Sequence, residues 1–248
     1  MSQRLSKKIF HLCMFFAIIV IIIFIAVMFI LNYEENGESN MPFEISKISI
    51  ISTVDGKSVE DATNKWNFSV DQNNDIYIYI EKNDQYNKQE IIESVSLDNF
   101  KMQVSPDRGE IKIYKPSVNN TALFENIDEN SKDYIEFIGS KSTDTRNLQI
   151  SNQGGNIAFR CANCNIGNYI SNDDGQVNYS ELLKKLNIDE NNIKYKILFD
   201  ITLKLQSGKV FKAENVDLDF PVENIVNTGK TAKEITDLNN IIFKRIEN

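Results

Sequence analysis

"IKYKILFDITLKLQSGKVFKAENVDLDFPV", residues 193–222, alternates apolar and polar side chains and interrupts the alternation at Gln206, Ser207 and Gly208. Ile193, Tyr195, Ile197, Phe199, Ile201, Leu203 and Leu205 fill successive odd positions, with Lys194, Lys196, Asp200, Thr202 and Lys204 between them. Successive side chains of a strand point to opposite faces, so this pattern predicts a long strand with one face on a core. A three-residue loop with Gly208 in the left-handed region folds the second run back, pairing Leu203 with Phe211 and Ile201 with Ala213. Val216, Leu218 and Phe220 then lie one residue out of phase, which predicts a β-bulge near Glu214 and Asn215.

The same arithmetic predicts two more hairpins. In "WNFSVDQNNDIYIYI" (66–80) a loop over Asp71–Asp75 sets Val70 opposite Ile76, Phe68 opposite Ile78 and Trp66 opposite Ile80. In "NLQISNQGGNIAF" (147–159) a loop over Asn152–Gly155 sets Ile150 opposite Ile157 and Leu148 opposite Phe159. Further strands are predicted at Phe43–Ser52, Val95–Val104, Glu110–Lys115, Tyr134–Gly139 and Ile241–Ile246, with "SPDRG" (105–109) turning the second of these into the third. Only "NYSELLKKL" (178–186) reads as a helix, with Asn178 as N-cap, Glu181 three residues on, and Leu182, Leu183 and Leu186 on one side. The fold class is therefore mainly β, antiparallel and sandwich-like, with one short helix.

Ahead of this region, Ile9–Leu31 is an uncharged apolar run of 23 residues. As a helix it would extend ~34 Å, enough for a bilayer core of roughly 30 Å. Arg4, Lys7 and Lys8 precede it, and Glu34, Glu35 and Glu38 follow. The positive-inside rule then places the N-terminus in the cytoplasm. The run is too long for the apolar part of a cleaved signal peptide and lacks a small-residue cleavage site, which favours an uncleaved signal anchor. The organisation expected is a cytoplasmic tail at 1–8, a transmembrane helix at 9–31, a linker at 32–41, and β modules at 42–118 and 132–248. A single sandwich over 42–248 is the alternative.

The net charge of −8 includes +3 from Arg4, Lys7 and Lys8, leaving −11 for the rest, which disfavours nucleic acid as a partner. In "RCANC" (160–164), Cys161 and Cys164 stand at the spacing used by zinc sites, thiol exchangers and local disulfides. Zinc needs about four ligands, and the remaining Cys and His residues, Cys13 and His11, lie at the apolar run. Thiol exchange usually places the first cysteine at a helix N-terminus, whereas the residues here have a β pattern. A local disulfide is the leading expectation for Cys161 and Cys164, with two free thiols as its competitor.

"ISNDDGQVNYSEL" (170–182) resembles the calcium loop of EF-hand and dockerin proteins. With Gly175 taken as the family's glycine, the resemblance implies Asn172, Asp174, Asn178 and Glu181 as ligands and Val177 as the apolar position. Ile170 occupies the first ligand position and cannot coordinate. A turn leading into a capped helix accounts for the same residues without metal. Asp71, Asn73 and Asp75 offer a second, weaker set of alternate oxygen ligands.

No histidine lies beyond the apolar run, so no Ser-His-Asp or Cys-His arrangement is available there, and no phosphate-cradling glycine loop is present. These readings lead to the expectation of a single-pass cell-membrane protein whose extracytoplasmic β region binds or scaffolds in the cell envelope without catalysis or cofactor. An accessory subunit of a membrane-protein complex and a thiol-disulfide protein using Cys161 and Cys164 are the alternatives.

Overall fold

A computed structural model describes residues 2–31, 41–60, 66–86, 88–118, 122–127, 134–140, 147–171 and 177–246, with side chains of the first helix described from Cys13 to Val27. The chain divides into two units, Met1–Glu35 and Asn36–Asn248. The first contains helix α1 (Ser2–Leu31). Counted over the described residues, no helix is both long and apolar enough to cross a membrane.

The second unit is mainly β. Its strands are β1 (Phe43–Glu60), β2 (Trp66–Lys82), β3 (Ile92–Val104), β4 (Glu110–Pro116), β5 (Phe124–Asn126), β6 (Tyr134–Ser140), β7 (Gln149–Ser151), β8 (Gly155–Ser171), β9 (Lys196–Leu205), β10 (Val210–Asp219), β11 (Lys230–Ile235) and β12 (Lys244–Ile246). One sheet has the order β11-β1-β2-β8-β4-β5 and the other β12-β10-β9-β3-β6-β7. Their pairings are antiparallel except β6 with β7. Each sheet draws strands from both sides of residues 118–132, so the expected division into modules at that segment is corrected to one two-sheet unit.

The sheets share an apolar core in which Ile50, Ile76 and Phe159 of the first meet Leu97, Phe199 and Phe211 of the second. The rings of Phe100, Phe159 and Phe199 lie 5.3 to 5.6 Å apart, within the range of favourable ring contacts. β1, β2 and β8 are 17 or 18 residues long, against 10 for β9 and β10. At about 3.3 Å per residue they exceed β9 and β10 by ~25 Å. Their apolar face continues past these strands, and three short helices cover the excess: α2 (Leu182–Lys185), α3 (Glu190–Ile193) and α4 (Ile225–Thr228). Val54, Val70 and Ile166 of the long sheet pack there against Leu182, Leu183, Ile188 and Ile225, a second core.

The β9–β10 hairpin has the predicted register. Leu203 pairs with Phe211, Ile201 with Ala213, and the ladder shifts between Ala213 and Val216. Gly208 has φ +85° and Asn215, in the bulge, φ +54°. Asp200 secures that bulge: one carboxylate oxygen accepts the Asn215 backbone N–H (2.8 Å), while the other accepts from Lys212 Nζ (2.9 Å) and Asn99 Nδ2 (3.1 Å). Burial pushes the Asp200 carboxyl up, but these donors together hold it below its ordinary value.

Two other hairpins are corrected. Residues 66–82 form one continuous strand, β2, bordered along residues 71–75 by β1 and, from Gln72 onward, by β8. Asp71–Asp75 is therefore not a loop: its backbone bonds to neighbours distant in sequence. In the 147–159 stretch, β7 joins the second sheet beside β6, whereas β8 enters the first. The turn between them, where Gly154 N–H donates to Ser151 O (3.1 Å), crosses from sheet to sheet, so Ile150 and Ile157 share a core without being ladder partners. "SPDRG" crosses likewise from β3 to β4, with Gly109 at φ +89°. The two crossings have one cause: period two fixes which face is buried but not which sheet a strand joins.

A Cβ built on Gly208 meets nothing within 4 Å, so a substitution there strains only the backbone. Gly208→Val is expected to lower stability by ~1 kcal/mol or more in chemical denaturation, with Gly208→Asn costing less. Equal stability of wild type and Gly208→Val would show that the loop adopts another turn.

Candidate functional site

The chemistry-bearing side chains of the β unit gather where residues 71–75 of β2 cross the long sheet. On the core face, Ser52, Asn74 and Cys161 stand side by side on β1, β2 and β8. Ser52 Oγ donates to Asn74 Oδ1. Asn74 Nδ2 donates to the Tyr195 hydroxyl and to the Cys161 carbonyl (3.3 Å), and that hydroxyl donates to the same carbonyl at 2.9 Å. Ser52, Asn74 and Tyr195 are all fully buried. In the adjoining row, the side-chain amides of Gln72 and Asn163 are ladder partners, also fully buried, and have no hydrogen-bond partner within the protein.

The opposite face carries charge. Asp71, nearly inaccessible, accepts from Lys57 Nζ at 2.9 Å and from the backbone N–H of Asn165 at 2.8 Å, where β8 bulges and Asn165 adopts φ +59°. Asp75 receives Arg160 in a two-pronged pair, at 2.5 and 3.0 Å, and the guanidinium lies 4.6 Å from the Phe124 ring. The favoured sequence reading missed Lys57, Asp71, Asp75, Arg160 and Tyr195 as a group. One signal was available, because Phe68, Val70, Ile76, Ile78 and Ile80 stay in phase across the polar run, as a single strand requires.

Cys161 and Cys164 are both free thiols, which corrects the expected local disulfide. They sit on one extended strand, where three residues separate their Cα atoms by ~10 Å, beyond the ~7 Å limit for bridging. Their surroundings also differ: the Cys161 carbonyl joins the Tyr195 network, while Cys164 Sγ lies 3.6 Å from the Tyr114 hydroxyl. Burial pushes the Cys161 thiol up to about 12, and burial also raises Cys164. Thiolate is the reactive form, so neither group is poised for exchange near neutral pH.

Of the calcium set, Asn172 and Asp174 lie outside the described residues. Asn178 caps a 3₁₀ turn, Tyr179–Glu181, that leads into α2; its Oδ1 accepts from Ser180 N (3.2 Å) and Ser180 Oγ (2.7 Å). Glu181 instead faces Lys185 at 3.7 Å. In the second set, Asp71 and Asp75 already face Lys57 and Arg160. Among the described residues, no three His, Cys, Asp or Glu side chains converge on a metal-sized site. The site can specify a register and bury charge, but it presents no activated nucleophile.

Comparison with family models, with curated proteins and with solved structures finds no match to the chain.

Two measurements check this geometry. In the folded protein, a soluble thiol reagent near pH 8 is expected to leave Cys161 and Cys164 unmodified, and in denaturant without reductant both should react. A pair that needs reductant even when unfolded would restore the disulfide. Asn178→Ala is expected to cost ~1 kcal/mol with calcium or with chelator, and the wild-type melting temperature to be the same in both. A rise with millimolar calcium would return Asn178 and Glu181 to the role of ligands.

Proposed function

We propose that this chain is a membrane-anchored protein whose extracytoplasmic β-sandwich binds or scaffolds partners in the cell envelope and performs no catalysis. The observation that carries the anchor is the character of α1. From Cys13 to Val27 its side chains are uncharged and, apart from half-buried Ile19, exposed. A helix that is apolar on every side and exposed in isolation buries that surface in lipid or against other apolar helices. Arg4, Lys7 and Lys8 before the apolar run and Glu34, Glu35 and Glu38 after it support a cytoplasmic N-terminus.

The non-catalytic part of the reading is supported by the chemistry at the centre of the long sheet. Its carboxylates are paired with Lys57 and Arg160 and its thiols are held neutral. This organisation suits a rigid platform tethered to a bilayer. The thiol-exchange alternative has no support from groups whose pKa values are raised by burial.

Carbonate extraction of native membranes followed by protease treatment of intact, wall-free cells tests the proposal. The full chain is expected to stay in the membrane pellet, and added protease to remove the region after about residue 32 while sparing the N-terminal tail. Release by carbonate would overturn the anchor, and protection of the whole chain would overturn the orientation.

A further inference from the structure

At the end of the β unit where the chain enters β1, a cavity of about 650 Å³ lies between residues 41–46 and the irregular segment 236–243, which carries β11 over to β12. Met41, Phe43, Ile45, Leu238, Ile241 and Phe243 form its apolar walls. Met41 and Phe43 are buried to 1% exposure and belong to the main core, so this wall is rigid. The facing wall is different in kind. Leu238 and Ile241 are only half-buried, Ile242 at the mouth is 49% exposed, and the segment turns on itself through a bond from Ile241 N–H to the Leu238 carbonyl (2.9 Å). Its position therefore rests largely on apolar packing, which an apolar guest would replace in kind.

Volume and charge narrow the guest. Pockets of roughly 300–1,000 Å³ lined mainly by apolar side chains are the usual size for a small organic ligand. Glu44 is the charged residue lining this cavity, and no cation lines it among the described residues. Ser46, Thr236 and Asn239 add neutral hydrogen-bonding groups to the lining, so a carboxylate or phosphate on the guest would meet one like charge and no cation, whereas a hydroxyl head would find partners. The lining thus suits a hydrocarbon chain carrying an uncharged, hydrogen-bonding head and disfavours an anionic one. Met41 also follows Leu31, the end of α1, by ten positions, and a ten-residue chain reaches at most ~35 Å. If α1 lies in a bilayer, the cavity is tethered within that distance of a hydrocarbon source.

We propose that this cavity takes one hydrocarbon chain of a neutral membrane lipid. The lipid as source rests on the anchoring reading above, whereas the cavity and its preference for an uncharged apolar guest do not.

The full chain reconstituted in nanodiscs containing a diazirine-labelled monoacylglycerol tests this, with crosslinked peptides mapped after photolysis. Label is expected on α1 and, separately, on residues 41–46 and 236–243. A diazirine fatty acid of the same length should label the two cavity segments at least fivefold less. Ile241→Trp, which fills the cavity, should reduce cavity labelling about tenfold and leave α1 labelling unchanged. Ile242→Asp, at the exposed mouth, should act the same way without disturbing the core, as an unchanged melting temperature would verify. Label confined to α1, or cavity labelling equal in wild type and Ile242→Asp, would overturn the proposal while leaving the anchor standing. Equal labelling by the fatty acid would overturn the preference for a neutral head. Label on the cavity segments without label on α1 would overturn the anchor and its lipid source, and leave the apolar cavity.

Discussion

Asn74 is a primary amide buried completely in the middle of a strand, and its hydrogen bonds bind the long sheet together. Its oxygen is met by Ser52 from β1, and its nitrogen by the Cys161 carbonyl of β8 and by Tyr195 from outside the sheet. A buried polar group left without a partner costs ~1–3 kcal/mol, so the local pairing that brings Ser52 and the Cys161 carbonyl to this amide is favoured over a slipped one. β1, β2 and β8 also run well past β9 and β10 opposite, and the surplus length is covered by the second core beneath α2 and α4. Gly167 shows how closely the helical cover approaches: a Cβ there would come within 2.8 Å of Leu186 Cδ1.

What was legible in the sequence divides along the same line. The β9–β10 hairpin could be read down to its bulge because every determinant lies within thirty residues, including Gly208, the alternation and the phase slip at Val216. The Asp71–Asp75 segment could not, because the reason these polar residues are buried lies in Ser52, Lys57, Arg160 and Tyr195, none of them sequence neighbours. A run of Asp, Gln and Asn is usually a loop. The two sheet-crossing turns, at 105–109 and 151–154, carry the same glycine signals as hairpin turns, and sequence spacing alone does not separate the two. The face each residue presents was therefore readable for most strands, and the partner of each strand for few.

At the site, the cysteine spacing pointed to the right place for the wrong reason. Cys161 is wrapped into the network that holds the long sheet, and Cys164 sits beside the Tyr114 hydroxyl. The burial that makes both thiols unreactive also makes them good packing groups. Charge follows the same logic: Asp75 with Arg160 is a geometrically specific pair on the sheet face, suited to fixing register.

The two sheets also solve a shared problem in the same manner. In β8 and in β10, an asparagine enters the left-handed region at a bulge, Asn165 and Asn215, and each backbone N–H is accepted by a buried aspartate on the next strand, Asp71 and Asp200. Each aspartate is in turn paired with a lysine, Lys57 or Lys212, at 2.9 Å. The strained backbone costs on the order of 1 kcal/mol, and a hydrogen bond to a charged acceptor contributes about 1.5–3 kcal/mol, so the bulge is stable once the aspartate is in place. In β10 the added residue brings Val216, Leu218 and Phe220 back to the buried side. In β8 three residues stand opposite Asp71 alone, and one of them, Ile166, turns into the second core. Bulges of this kind let one strand leave the first core and enter another without breaking its ladder, so the pinned asparagines are what make a sheet of this length usable.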